Sequence, residues 1–125
     1  MIAFLRDEPG ADVVAEVLVD TASKCFAHSL NLCEVFYDFE RAAGRRDAVQ
    51  AVSDLMKLGV MEDGSLTPVV WQAAGTLKAR LRRVSLADCF ALELAARLDA
   101  TILTADHHEF DALAAQPEYK VLFIR

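Results

Sequence analysis

The sequence lacks the features that mark membrane, secreted and multidomain proteins. Although 54% of its 125 residues are hydrophobic, no apolar run approaches the roughly 18 residues needed to span a membrane. The apolar opening, residues 1–5, is too short for a signal peptide and is followed at once by Arg6-Asp7-Glu8. No repeat, low-complexity tract or linker interrupts the chain. We therefore expect one cytoplasmic domain, residues 1–125, with no membrane association.

Cysteine and positive charge are also scarce. The three cysteines, Cys25, Cys33 and Cys89, are odd in number and lack Cys-x-x-Cys spacing. This pattern predicts free buried thiols rather than disulfides or a zinc site. The net charge of −6 argues against a protein that coats nucleic acid through bulk electrostatics, although an enzyme could still grip nucleic acid locally.

The basic residues that are present are unevenly distributed. One group directly precedes Ser85, and another lies near the middle of the chain. A cationic group can simply suit the C-terminal end of a helix, or it can contact phosphates. Both interpretations stay open for the first group, Lys78, Arg80, Arg82 and Arg83, and for the second, Arg41, Arg45 and Arg46.

Helical and strand-like segments alternate along the chain. Their order predicts an α/β protein, a three-layer α/β/α sandwich with a parallel sheet. Pro9 suits the first turn of a helix, Ser29 or Asn31 can cap the next one, and Thr67 can cap a later one. The predicted helices are 2–7, 9–20, from 29 or 31 to 44, 46–58, 67–81, one from 85, and 107–115; the predicted strands are 24–28, 60–62, 101–105 and 119–124.

Three acids occupy places that face the carboxyl ends of the predicted strands. Asp88 lies in the first turn of its helix, Asp106 follows a strand, and Glu34 lies one turn into the helix after another strand. Ligands bind at the carboxyl ends of parallel strands. Carboxylates gathered there repel one another and are best stabilised by a cation. The pattern predicts an oxygen-ligated Mg²⁺ or Mn²⁺ site that could activate water for phosphodiester hydrolysis.

Each of these acids also has a structural interpretation. Ser85-x-x-Asp88 is a capping-box pattern, Asp106 could cap the helix that follows it, and Glu34 could face solvent. Their joint occurrence favours a shared crevice. The histidines, His28, His107 and His108, lack a convincing zinc spacing, so surface or capping roles are expected for them.

The ordered set of motifs resembles the PIN-domain family, most closely its VapC-type toxins of bacterial toxin–antitoxin pairs. The resemblance covers essentially the whole chain. It is carried by Glu8-Pro9-Gly10, by Asn31-Leu-Cys-Glu34-Val35, by Ser85-Leu-Ala-Asp88, and by Leu103-Thr104-Ala-Asp106 followed by Phe110.

This resemblance implies a flavodoxin-like fold and a Mg²⁺- or Mn²⁺-dependent ribonuclease, usually dimeric and silenced by a cognate antitoxin. It implies that Glu34, Asp88 and Asp106 are metal-binding acids. Ser85 and Thr104 would orient them. It also suggests that RNA phosphates contact Lys78, Arg82 and Arg83.

One family feature has no counterpart in the sequence. PIN domains begin with a strand that ends in Asp-x-Ser and supplies the first metal-binding acid. Here Met1 matches a position just after that motif, and Asp7 lies at the wrong end of the following helix to replace the acid. Two hypotheses follow: translation starts upstream of Met1, or the chain is a truncated relative that a partner or strand exchange compensates.

Three functions compete at this point. The first is a metal-dependent endoribonuclease toxin that leaves a 5′-phosphate. The second is a catalytically impaired module that binds an antitoxin through the apolar faces of helices such as 13–18 and 69–77. The third is a receiver-like domain phosphorylated on Asp106, which the sequence supports least because the expected acidic pair and lysine are not evident.

Overall fold

The computed structural model describes residues 1–125, which group into two compact units, Met1–Gly64 and Ser65–Arg125. The α/β class predicted from the sequence is confirmed. The first unit contains α1 (Ile2–Leu5), α2 (Ala11–Val19), β1 (Cys25–His28), α3 (Ser29–Ala43), α4 (Arg45–Lys57) and β2 (Val60–Asp63). The second contains α5 (Pro68–Arg80), α6 (Leu86–Leu98), β3 (Ile102–Thr104), α7 (His107–Ala114) and β4 (Val121–Phe123).

Both strand pairs are parallel, as expected. In the first unit β1 pairs with β2, with Cys25 opposite Val60 and His28 opposite Asp63. In the second, β3 pairs with β4, with Ile102 opposite Val121. The hydrogen bonds form two two-stranded sheets rather than the single sheet expected from the sequence. Because each strand has only one partner, each has one edge without a ladder partner.

The first unit is held by helices packed against β1 and β2. Its buried cluster includes Val35 from α3 and Leu55 from α4, each about 1% exposed. Apolar side chains of α1 pack against the same cluster. Gly44 joins α3 to α4 with a φ of +90°, a backbone conformation that favours glycine. The buried members of the cluster are Ala27, Leu32, Val35, Ala51, Leu55 and Val60.

Two predicted helix starts are wrong in detail, and a third is right. Pro9 lies outside α2, because Gly10 in the left-handed conformation is the N-cap. Neither Ser29 nor Asn31 caps α3; instead the His28 ring accepts the Leu30 N–H through Nδ1 at 3.2 Å. Thr67 is the N-cap of α5 and Pro68 is its first residue, as predicted, although the Thr67 side chain makes no cap hydrogen bond.

The second unit has its own buried core. Phe110 and Leu113 of α7 pack with Val84, Cys89 and Leu92, and all five are almost fully buried. This cluster fixes the starts of α6 and α7, since residues near both starts belong to it.

The cysteine prediction is only partly right. All three thiols are free, but Cys89 is buried, Cys25 is half-buried and Cys33 is exposed on α3. Cys33 lies on the exposed side of α3, whereas its neighbour Leu32 is buried in the core of the first unit. Burial raises the pKa of the Cys89 thiol. No helix of the protein has the length and apolar character that crossing a membrane requires.

Candidate metal centre

The carboxyl end of β3 leads directly into the first acidic position of the second unit. The Asp106 N–H donates to Thr104 Oγ1 at 3.0 Å, so the last residue of β3 fixes the turn. Asp106 then caps α7, where its Oδ1 accepts the Glu109 N–H at 3.0 Å. Asp106 itself is exposed. The turn thus presents a carboxylate at the end of a parallel strand, where ligands commonly bind in α/β proteins.

The start of α6 holds the second acid. Ser85 is the N-cap, and its Oγ accepts the Asp88 N–H at 3.0 Å. The same hydroxyl donates to Asp88 Oδ2 at 2.6 Å, which fixes the orientation of this half-buried carboxylate. Only one of the two hydrogen bonds of a capping box therefore forms, the one in which the Ser85 hydroxyl accepts the Asp88 N–H. The Asp88 carboxylate binds the hydroxyl rather than the Ser85 N–H.

Glu109 completes this arrangement, and the sequence interpretation missed it. Its Oε2 accepts the Ser85 N–H at 2.7 Å. Burial raises the pKa of Glu109 and the Ser85 N–H opposes that shift. The negative charge of Asp88, a side-chain hydrogen bond with Asp88 and the charge of Asp106 raise the pKa further. Three carboxyl groups are therefore close enough to interact electrostatically, and a cation would relieve their repulsion. The available signal was the spacing Asp106-x-x-Glu109, which is itself a capping-box pattern.

Glu34 belongs to the first unit. It lies on α3, six residues after His28 ends β1, and is half-buried. Near the same end of that sheet, Ser29 Oγ donates to Glu62 Oε1 at 2.6 Å. The joint action of Glu34 with Asp88 and Asp106 at one metal ion stays a prediction.

The residues of the second unit fit a hard divalent cation by their chemistry. Asp88 and Asp106 offer carboxylate oxygens, the ligands that Mg²⁺ and Mn²⁺ prefer, and Glu109 adds a third negative group beside them. No group of three or more His, Cys, Asp or Glu side chains is arranged to hold a metal ion as the structure stands. A Mg²⁺ site does not require such a cage, because this ion usually keeps several waters and only one or two protein carboxylates.

The basic group before Ser85 divides into occupied and exposed residues. Lys78 Nζ donates to the backbone carbonyls of Arg82 at 3.1 Å and Val84 at 2.6 Å, so it closes the turn after α5. Arg80 bonds Glu118 and Tyr119. Arg82 and Arg83 are exposed. Contact of Lys78, Arg82 and Arg83 with RNA stays a prediction. It is least supported for Lys78, because the ammonium group of this residue already bonds two backbone carbonyls.

The histidines have the capping or surface positions expected for them, and His108 is exposed on α7. His28 is buried and caps α3. The His107 ring stacks on Phe123 with centroids 4.0 Å apart and bonds the Asp111 carboxylate and the Arg125 carbonyl. These bonds, first the one to the Arg125 carbonyl and then the one to Asp111, raise the pKa of His107.

The parallel strand pairs and the acids at the end of β3 define an α/β protein with a candidate metal centre. A family model described as the PIN domain matches residues 1–116, so the chain belongs to the PIN-domain family. The resemblance inferred from the motifs is confirmed. No curated protein matches the sequence closely enough to count as a relative.

Two solved structures are similar to the chain. One is the crystal structure of VapBC2 from Rickettsia felis bound to a DNA fragment from their promoter, with a TM-score of 0.68 and 16% identity over 97% of this chain and 90% of that chain. The other is the crystal structure of DNA-bound VapBC from Salmonella typhimurium, with a TM-score of 0.68 and 16% identity over 98% of this chain and 90% of that chain. At this identity the likeness concerns the fold.

Proposed function

We propose that the protein is a Mg²⁺- or Mn²⁺-dependent endoribonuclease, the toxin of a type II toxin–antitoxin pair. The observation that carries this proposal is the carboxylate cluster of Asp88, Asp106 and Glu109 at the starts of α6 and α7. Membership of the PIN-domain family supports nuclease chemistry. RNA as substrate, a cognate antitoxin, a homodimer and a cytoplasmic location belong to the same proposal.

Asp88 and Asp106, with Glu34 from the first unit, would hold the metal ion. When bound, such an ion lowers the pKa of a water ligand and stabilises the charge that develops on the phosphate. Ser85 holds the Asp88 carboxylate through its hydroxyl, and Thr104 holds the Asp106 backbone. These bonds keep the acids oriented before substrate arrives, which reduces the reorganisation needed during the reaction.

A specific observation also favours the alternative, a catalytically impaired module that binds an antitoxin or another protein. On α5, Val70 and Ala74 are buried, but Val69 and Trp71 are 77% and 49% exposed. The apolar character of this helix therefore extends beyond the core face. Exposed aromatic and aliphatic side chains of this kind are common in protein interfaces. Similar solved structures are VapBC complexes, which supports an antitoxin partner.

Cleavage of RNA by the full chain, in buffer with and without Mn²⁺, tests the proposal. We expect Mn²⁺-dependent cleavage, and we expect Asp88→Asn to lower the rate about a hundredfold, the scale of losing one group that stabilises transition-state charge. Asn keeps the size of the side chain and an oxygen that accepts the Ser85 hydroxyl. Asp12→Asn, an exposed change on α2, is the matched control and leaves the rate unchanged.

Two results would contradict the ribonuclease proposal. Equal cleavage by the parent and Asp88→Asn would show that Asp88 holds no metal ion. A folded parent that cleaves no RNA with Mn²⁺ but binds an antitoxin would favour the impaired module instead. Replacing Trp71 by Ala would then weaken that complex.

A further inference from the structure

Glu109 makes two bonds that join the candidate acids. Its backbone N–H donates to Asp106 Oδ1 at 3.0 Å within the first turn of α7. Its carboxylate reaches a segment 24 residues earlier in the chain, where Oε2 accepts the Ser85 N–H at 2.7 Å. One residue therefore contacts both the turn that carries Asp106 and the N-cap that precedes Asp88.

The bond from the Ser85 N–H to Glu109 takes the place of the bond that this N–H would make to Asp88 in a complete capping box. In a capping box, the third residue of the helix accepts the N-cap N–H through its side chain. Here the third residue is Asp88, and its Oδ2 instead accepts the Ser85 hydroxyl at 2.6 Å. The Ser85 N–H would lose this partner without Glu109, and an unsatisfied partly buried donor is costly. Glu109 thus lets the Ser85 hydroxyl and the Asp88 carboxylate face each other.

We propose that Glu109 is a positioning residue for the metal centre, an inference that rests on the proposed function. Its carboxylate fixes the Ser85 backbone, and the Ser85 hydroxyl in turn fixes the orientation of Asp88. Charged hydrogen bonds of this length are the strong ones in proteins. Groups that hold metal ligands in this way change metal affinity about 10- to 100-fold when they are removed.

Two substitutions distinguish positioning from direct metal binding. Glu109→Ala removes the acceptor for the Ser85 N–H and the side-chain contact with Asp88, but leaves the backbone N–H that bonds Asp106. Glu109→Gln removes the negative charge but keeps a side-chain oxygen that can accept the Ser85 N–H. If Glu109 acts by holding the Ser85 backbone, the Glu109→Gln protein should bind Mn²⁺ as tightly as the parent. If Glu109 binds the metal through its charge, Glu109→Gln should weaken Mn²⁺ binding as much as Glu109→Ala does.

The experiment measures two properties of the full chain. The Ser85 amide shift and its hydrogen exchange, observed by NMR without metal, report the bond itself. The Mn²⁺ dissociation constant, measured by calorimetry, reports the consequence. For Glu109→Ala we expect a shifted, faster-exchanging Ser85 amide and a dissociation constant about tenfold higher. For Glu109→Gln we expect both to stay near the parent. Glu16→Ala, an exposed change on α2, is the matched control and changes neither.

Three results would overturn the inference. One is an unchanged Ser85 amide in Glu109→Ala. Another is a Glu109→Gln protein that keeps the Ser85 amide signal yet binds Mn²⁺ as weakly as Glu109→Ala, which would make Glu109 a ligand. The third is a parent protein that binds no Mn²⁺. This result would contradict the proposed function itself, and it is distinguishable from the first two because it does not depend on the Ser85 amide. Circular dichroism spectra confirm that each variant is folded.

Discussion

Replacing Ser85 by alanine tests how the start of α6 is held together. The Ser85 hydroxyl accepts the Asp88 N–H at 3.0 Å and donates to Asp88 Oδ2 at 2.6 Å. Alanine removes both bonds and adds no bulk. The bond from the Ser85 N–H to Glu109 involves the backbone and is retained. The substitution therefore isolates the contribution of the hydroxyl group.

The expected cost follows from these two bonds. Loss of an N-cap hydroxyl typically lowers the free energy of unfolding by about 1 kcal/mol, within a range of about 0.5–2. The second bond goes to a carboxylate, which would add about 1.5–3 kcal/mol if the carboxylate were excluded from water. Asp88 is only half-buried, so water replaces part of that bond. We expect Ser85→Ala to lower the free energy of unfolding by about 1–2 kcal/mol.

Urea unfolding measured by circular dichroism provides the value, and α5 provides the matched control. Thr67 occupies the N-cap of α5, but its side chain makes no cap hydrogen bond. Thr67→Ala should therefore change the free energy of unfolding by less than about 0.5 kcal/mol. Equal costs for the two substitutions, or no cost for Ser85→Ala, would refute the claim that the hydroxyl bonds stabilise α6.

Two further predictions concern the cores and the turns. Phe110 is about 1% exposed in the core of the second unit, so Phe110→Ala should lower the free energy of unfolding by about 3–5 kcal/mol in a urea titration; a loss below about 1 kcal/mol would show that the site is not tightly packed. The Ser23 hydroxyl, and after it the Ala22 N–H, lower the pKa of Asp20. Because the folded pKa is the lower one, this contribution to stability is present above the unfolded pKa and disappears as pH falls through the folded pKa. Ser23→Ala should raise the Asp20 pKa in an NMR titration, and an unchanged pKa would contradict the assignment.

The order of helices and strands could be predicted from the sequence because it depends on local patterns. Hydrophobic periodicity, together with turn and capping signals, predicts the helices and strands to within a few residues. Helix starts were less predictable where an unusual group acts as the cap. His28 caps α3 through a ring nitrogen, whereas capping preferences point to serine or asparagine. The partition of the strands into two sheets depends on long-range pairing, which local patterns do not contain.

The candidate site could be predicted only in part. Asp88 and Asp106 stand out because each follows a clear helix or strand signal. Glu109 lies inside α7, where its spacing from Asp106 suggests no more than a cap. Its bond to the Ser85 N–H joins residues 24 positions apart. Such a contact results from the packing of α6 and α7 on one core, and the sequence pattern of either helix alone does not encode it.

Capping and metal binding do not compete for the acids of this site. The sequence offers both interpretations for Asp106, and the structure shows its Oδ1 capping α7 through the Glu109 N–H. A carboxylate has two oxygens and about four positions for donors or metals, so one cap bond uses a small share of its capacity. The cap also stops the side chain from rotating, because the helix holds one oxygen in place. Asp88 is held in the same way by the Ser85 hydroxyl. The bonds that begin the two helices thereby fix the direction of both carboxylates, and a metal centre built from preoriented ligands loses less entropy when the ion binds.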